Sequence, residues 1–362
     1  MANKKKALIA MSGGVDSSVA LYLMQKAGYD CIGATMRLYD AKEVCSADED
    51  DSLCGSEEAA KDAAAVAAQF GIDFKVLSFC DEFKKFVIDH FVETYRRGDT
   101  PNPCIECNRH LKFGHLIDAT EEYGCEVLVT GHYARIEQDK ESGRYLLKKG
   151  KDSSKDQSYV LFRMTQRELS KTKFPLGEYE KTEIREIASK IGLTNAEKKD
   201  SQDICFVPDG DYAAFIESYT NMTFPEGDFV TKDGRVLGRH KGIIRYTIGQ
   251  RKGLGLALPA PMYVCEKRMD KNEVVLCSNE ELFSDTLYAT DLNWIAFDEI
   301  PEAGIRCMAK ARYKQKEADA LVIPEEKDRV KVVFDEPQRG ITSGQSVVFY
   351  REDVVLGGGR IM

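Results

Sequence analysis

The sequence predicts an α/β domain built on a parallel sheet, followed by a small all-β domain closed as a barrel. Through about residue 205, short apolar runs alternate with helix-periodic stretches. The pattern changes near residue 207, and from about Leu287 only short alternating segments remain. A β-α-β-α rhythm calls for parallel strands covered on both faces. Closely spaced short strands suit a barrel.

Lys6–Met11 is the first apolar run, broken by Ser12-Gly13-Gly14, and Asp16–Ala27 reads as the first helix. Val19, Leu23 and Ala27 share one face of it, with Ala20 and Met24 beside them, and Gly28 suits the position past its end. Cys31–Met36 is the next strand. Cys45–Asp51 reads as a polar, acidic loop. Ser56 caps an alanine-rich helix with Glu57 and Glu58 in its first turn, ended by Gly71. Phe74–Phe79 is a third strand, and Phe83, Val87 and Phe91 stripe a helix that stops at Gly98. Val127–Thr130 is a fourth strand and enters Gly131-His132. Further on, Phe229–Leu237 reads as a hairpin around Asp233-Gly234, and Tyr263–Leu276 as another turning at Asp270–Asn272. The closing strands are Arg306–Tyr313, Ala318–Ile323, Arg329–Phe334, Ser346–Tyr350 and Val354–Ile361.

A chain of 362 residues has room for two or three domains, each with its own core. Its 43% hydrophobic and 31% charged residues exclude global disorder and a fibrous chain. No apolar run reaches the roughly 18 residues of a spanning helix. The basic and apolar start resembles an export signal, but Ser12-Gly13-Gly14 cuts its apolar part too short, so a cytoplasmic protein is expected. There, 11 cysteines are mostly reduced and point to chemistry or metal binding, since an odd number cannot all pair within one chain. A net charge of −9 weighs against nonspecific polyanion binding but permits a local basic face.

Ser12-Gly13-Gly14-Val15-Asp16-Ser17-Ser18 lies between a strand and a helix, where backbone N–H groups and the helix N-terminus form an anion site. It lacks the Gly-Lys-Ser/Thr of a Walker A loop and the G-x-G-x-x-G of a dinucleotide fold. The alternative is a plain glycine turn. In Pro101-Asn102-Pro103-Cys104-Ile105-Glu106-Cys107-Asn108-Arg109, two prolines stiffen a loop that presents two thiols. Arg109, His110 and Lys112 around Cys107 favour thiolate. Half of a zinc site is the alternative there, though no second C-x-x-C completes it. Cys205, after Lys199–Ile204, would read alone as a buried strand cysteine. Gly131-His132-Tyr133-Ala134-Arg135 follows a strand end, where ligand sites gather in open sheets. Lys155-Asp156-Gln157-Ser158 follows a basic stretch, Arg144–Lys151, that reads as a solvated loop. Arg235–Lys252 and Arg306–Lys316 are basic without a carboxylate, and Tyr246 and Tyr313 add surfaces that can stack on an unpaired base. They are either RNA-binding or merely solvated faces.

The loop matches the SGGxDS signature of the PP-loop pyrophosphatases. Taken with Asn102–Asn108, Thr130–Arg135, Lys155–Tyr159, Ser201–Phe206, Tyr246–Gly253, Ala311–Tyr313 and Gly344–Tyr350, the chain resembles the bacterial tRNA-specific 2-thiouridylases along essentially its whole length. The resemblance implies a PP-loop catalytic domain (1–207), a small central domain (208–282) and a tRNA-binding C-terminal β-barrel (283–362). It implies that ATP with Mg²⁺ adenylates the C2 oxygen of the wobble uridine (position 34) in tRNAs for Lys, Glu and Gln, and that sulfur replaces that oxygen. Ala10, Met11, Ser12, Gly13, Gly14, Val15, Asp16 and Ser17 would hold the phosphates, with Met36 and Gly131 on the adenine side. A persulfide on Cys205 would deliver the sulfur, and Cys107 would be the nucleophile that releases it as a disulfide forms. His132, Lys155, Asp156, Gln157, Arg312, Tyr313 and Gln345 correspond to tRNA-contacting positions. The partners implied are tRNA and a sulfur donor, a cysteine desulfurase or a relay protein, with the chain a monomer.

Many members have Asp where this chain has Cys104, so that residue's acid/base role does not transfer. Cys104, Cys107 and Cys205 together also resemble the thiolate set of iron–sulfur-dependent thiolases, three ligands for a 4Fe–4S cluster. Two other readings remain open on the sequence. One is a different PP-loop enzyme acting on a small molecule; the other is a non-catalytic RNA-binding or thiol redox protein.

Overall fold

The computed structural model describes residues 4–39, 57–193, 204–326 and 328–362. The Cys45–Asp51 loop, the Ser56 cap and residues 199–203 before Cys205 lie outside them. In chain order the first strands are β1 Lys6–Ala10, β2 Asp30–Arg37, β3 Asp73–Ser78 and β4 Val127–Val129. A hairpin, β5 Ala134–Gln138 and β6 Tyr145–Lys149, precedes the two-residue β7 Thr172–Lys173. The first sheet has the order β3-β2-β1-β4-β7, and every pairing in it is parallel.

Alternation along β1 divides the core. Ala7 and Ile9 face the helices Val15–Lys26 (α1) and Glu57–Gln69 (α2), while Leu8 faces Phe83, Phe91 and Leu111 on the other side. Burial on both faces explains why these strands read as nearly continuous apolar runs. Helix α1 departs from the expected single-face pattern. Val19, Ala20, Leu21 and Met24 are buried, whereas Leu23 is half-buried and Ala27 exposed. The cause is a second neighbour, because α1 also packs against the helix Lys181–Lys190. The Phe83, Val87 and Phe91 stripe is buried as expected, on a helical path that passes through a π turn at Lys84–Ile88.

The second sheet comprises β8 Gly227–Val230, β9 Val236–His240, β10 Tyr263–Arg268 and β11 Glu273–Cys277, in the order β10-β11-β8-β9. Both expected hairpins are present as antiparallel pairs. The last six strands are β12 Phe283–Trp294, β13 Ile305–Lys310, β14 Ala318–Glu326, β15 Arg329–Arg339, β16 Ser346–Arg351 and β17 Val354–Ile361. Pairing of β12 with β17 closes them into a barrel, which leaves no open edge among the six.

The stretch Arg144–Lys151 is not a solvated loop. Tyr145–Lys149 is strand β6, and Lys148 pairs with Val354 of β17, so a hairpin of the first domain extends the barrel sheet. Charged groups hold the seam: Arg135 meets Asp353 at 2.7 Å, and Lys149 meets Glu317 at 2.7 Å. The segment that follows docks on the barrel as well. Tyr159 Oη donates to the Ser346 carbonyl at 2.7 Å, and Arg163 donates to the carbonyl and carboxylate of Asp291 at 2.6 and 2.7 Å.

Candidate active site

A cleft of about 1110 Å³ opens at the C-terminal ends of β1, β2 and β4 and is walled on one side by the barrel. Crevices at strand C-termini are where open α/β sheets bind ligands. It gathers most of the residues singled out in the sequence: Ala10, Met11, Ser12, Gly14, Val15, Asp16, Ser17, Met36, Gly131, His132, Lys155, Asp156, Gln157, Tyr313 and the three cysteines 104, 107 and 205. Three do not line it. Gly13 backs the loop, and Arg312 and Gln345 lie at domain junctions.

The loop is shaped by its own hydroxyls. Ser17 Oγ donates to the Gly14 carbonyl at 3.0 Å and accepts from the Ser12 N–H at 3.2 Å, while Ser18 Oγ donates to the same carbonyl at 3.0 Å. Gly13 has φ +71°, and a Cβ there would sit 2.7 Å from the Ala59 carbonyl oxygen; a Cβ on Gly131 would meet the Ser17 nitrogen at 2.9 Å. Helix α1 starts at Val15, directly behind this turn. Its uncapped N–H groups and the positive end of its dipole therefore meet the cleft.

Asp16 is held by Tyr133, from the Gly131–Arg135 segment singled out in the sequence, and by Lys181, which sequence reading missed. Lys181 Nζ reaches both carboxylate oxygens at 2.8 Å, and Tyr133 Oη donates to one of them at 2.8 Å. The Lys181 side chain is only 10% exposed. Lys181 stands some 165 residues from Asp16, a separation at which no local spacing or period could have signalled the pair.

Pro103 opens the short helix Pro103–Glu106 at its first turn, the position that suits a residue without an N–H. Cys104 on it is exposed, and Cys107, where the helix passes into the π segment Cys107–His115, is 8% exposed. Cys205 reaches the same cleft because its neighbour Phe206 is buried edge-on against Phe83 and Phe91. The Tyr39 hydroxyl also donates to the Cys205 carbonyl at 3.0 Å. Among the described residues, no group of three or more His, Cys, Asp or Glu side chains is placed to hold a metal ion.

His132 is buried, and that burial holds its imidazole well below the usual range, with Lys112 adding to the effect. Its Nδ1 lies 2.7 Å from Thr130 Oγ1. Asp156 turns inward, accepting from the Gly150 and Ser158 N–H groups at 3.0 and 3.1 Å. Gln157 Oε1 accepts from the Tyr133 N–H at 3.0 Å. From the barrel come Lys310, Tyr313, Lys314 and Lys316. Burial lowers the Lys310 pKa, and its ammonium lies 5.7 Å from the centroid of the Tyr313 ring.

The chain thus joins a parallel-sheet domain with a glycine turn at its strand ends to two β-rich domains. Residues 5–209 match the family model described as a tRNA methyl transferase HUP domain, 213–278 its PRC-barrel domain, and 284–361 an aminomethyltransferase β-barrel domain. The chain belongs to the tRNA-specific 2-thiouridylase (MnmA) family. It is 50% identical over 359 residues to an MnmA of Clostridium tetani, covering 99% of each chain. It is 50% identical over 358 residues to that of Clostridium beijerinckii (99% of each chain), and 48% over 357 to that of Clostridioides difficile (99% of this chain, 98% of the other).

Proposed function

We propose that this chain is a tRNA-specific 2-thiouridylase that uses ATP to adenylate the C2 oxygen of the wobble uridine and replaces it with sulfur. The observation that carries this reading is the single cleft shared by the Ser12–Ser17 turn, both cysteine segments and a basic barrel wall. Residues 1–207 supply the chemistry, and 208–282 and 283–362 the RNA side.

The turn fits the phosphates of ATP: it offers backbone N–H groups and the start of α1, and Asp16, the one carboxylate in residues 10–18, is neutralised by Lys181. Mg²⁺ bound with the nucleotide would neutralise charge on the departing pyrophosphate, with Asp16 the carboxylate beside it. Met36 and Gly131 form the adenine side.

The uridine C2 oxygen attacks the α-phosphate, pyrophosphate leaves, and C2 now carries AMP as leaving group. The terminal sulfur of a persulfide on Cys205 attacks C2 and AMP departs. Cys107 thiolate then attacks Cys205 Sγ, forming a Cys107–Cys205 disulfide and releasing 2-thiouridine. A thiol reductant resets the pair, and a cysteine desulfurase or relay protein reloads the persulfide. Of the cations around Cys107 in sequence, Lys112 lines the same cleft, whereas Arg109 turns to Asp291. The substrates are tRNAs for Lys, Glu and Gln, held by His132, Lys155, Gln157, Tyr313 and the lysines beside it, with the enzyme acting as a monomer. Asp156, committed to backbone N–H groups, shapes the 155–158 turn.

Nucleoside mass analysis of tRNA from a strain lacking this chain tests the reading. Wobble 2-thiouridine is lost and returns with the wild-type chain but not with Cys107→Ser or Cys205→Ser. Unchanged 2-thiouridine in the deletion strain would remove the assignment.

A further inference from the structure

The structure carries one step beyond that reading, which it takes as its base: we infer that Gln345 is a positioning residue for the Cys104/Cys107 loop. The barrel turn 342–345 sets how that loop stands in the cleft.

Residues 99–102 link the helix Asp89–Arg96 to Pro103, and nothing in them is regular. Pro101 and Pro103 bring no N–H groups; the Asn102 carbonyl is met locally by the Ile105 N–H at 3.2 Å, and the Thr100 and Pro101 carbonyls take donors from outside the linker. The barrel supplies them. The Thr100 N–H donates to the Ser343 carbonyl at 3.0 Å. The Gln345 amide donates to the Thr100 carbonyl at 2.8 Å and the Pro101 carbonyl at 3.3 Å. Both polar backbone groups of Thr100 are thereby taken by one turn of another domain, three residues before Pro103.

That turn is itself fixed. The Gly344 N–H donates to the Ile361 carbonyl at 3.0 Å, and the Ile361 N–H donates back to the Gln345 carbonyl at 2.8 Å. Arg312 donates to Thr342 Oγ1 and, at 3.1 Å, to the Ile248 carbonyl, which ties the central domain to the same turn. Gly344 has φ +85°, and a Cβ there would stand 2.9 Å from both Asp99 Cβ and the Thr100 nitrogen. The contact is therefore backbone against backbone. Tyr313 and Lys314, next in sequence to Arg312, line the cleft, so the segment facing RNA and the turn gripping the thiol loop are one piece of barrel.

Gln345→Met removes the donors at nearly constant volume, and Gly344→Ala pushes the linker while leaving the Gln345 amide in place. In the full-length chain without RNA, alkylation of Cys107 by iodoacetamide, read by peptide mass analysis, rises at least about fivefold in both variants. Cys205 alkylation is unchanged. With tRNA and ATP, the single-turnover thiolation rate falls while KM for tRNA stays the same. Wild-type Cys107 reactivity in both variants, or a deficit confined to KM for tRNA, would overturn the inference. So would a parallel rise at Cys205, the mark of general loosening. The alkylation arm needs no thiolation, so a wild-type chain inactive on tRNA would sink the proposed function and leave this inference to be judged on Cys107 alone.

Discussion

Asp16 is the one carboxylate of the Ser12–Ser18 turn, and Lys181 and Tyr133 both bond to it. In the proposed reaction, Lys181→Met leaves that carboxylate to face the phosphates of ATP without its counter-charge. We expect a loss of about 1–3 kcal/mol in unfolding free energy, together with a raised KM for ATP; equal KM values would show that Lys181 serves only the fold. Lys267 on β10 makes a different case. Its ammonium is buried with no hydrogen-bond partner among the described residues, and burial pulls its pKa down to about 8, against the opposing charge of Asp99. Between about pH 8 and the ordinary lysine value of about 10.4, the unfolded chain binds more protons than the folded one. Stability from this group therefore rises with pH across that window and is at its worst below it. Lys267→Met should raise Tm at pH 7, with the gain shrinking toward pH 10. A gain independent of pH would point to packing rather than charge.

At the scale of elements, the docking of the first domain on the barrel turns on the segment that runs from Ser158–Leu161 to Arg163. The Arg163 side chain is 4% exposed and spends two N–H groups on Asp291. Arg163→Met strands a carbonyl and a carboxylate at the seam and should cost about 2–3 kcal/mol in a urea titration. A change below about 0.5 kcal/mol, the ordinary scale for surface substitutions, would mean that Arg109, 3.5 Å from the same carboxylate, replaces it. The seam also shows what the sequence could carry. The parallel sheet, both central hairpins and the barrel strands were legible because each rests on a local period or a turn signal. Strand β6 was not, because its lysines look like those of a solvated loop; its hairpin partner β5 is local, but its pairing with Val354 of the barrel spans more than 200 residues. The thiols and the Ser12–Ser17 turn announced themselves by residue type. The hold on them, through Lys181, Phe206 and Gln345, is tertiary and has no sequence period.

Across the whole molecule, charge is distributed against its own sum. A chain with net charge −9 repels a polyanion at long range, so RNA binding must rely on local positive wall. The two basic stretches differ in this respect. In 235–252, Arg239 pairs with Asp228 at 3.0 Å and Arg245 with Glu217 at 2.6 Å, so two of its six Lys and Arg are met within the protein. In 306–316, Arg306 pairs with Asp335 on the outer side, whereas Lys310, Lys314 and Lys316 line the cleft. Phosphate contacts made there release counterions, at a slope of roughly 0.7–0.9 per contact in log K against log salt. A Lys314→Ala/Lys316→Ala double variant should therefore weaken tRNA binding and flatten the salt slope by about 1.4–1.8. Arg239→Ala, whose charge is already balanced by Asp228, should leave the slope where it was. Titrations of tRNA from low to moderate salt read both variants. Equal slopes for all three proteins would place the RNA backbone elsewhere on the surface, and a flattened slope for Arg239→Ala alone would move the electrostatic contact from the barrel wall to the central domain.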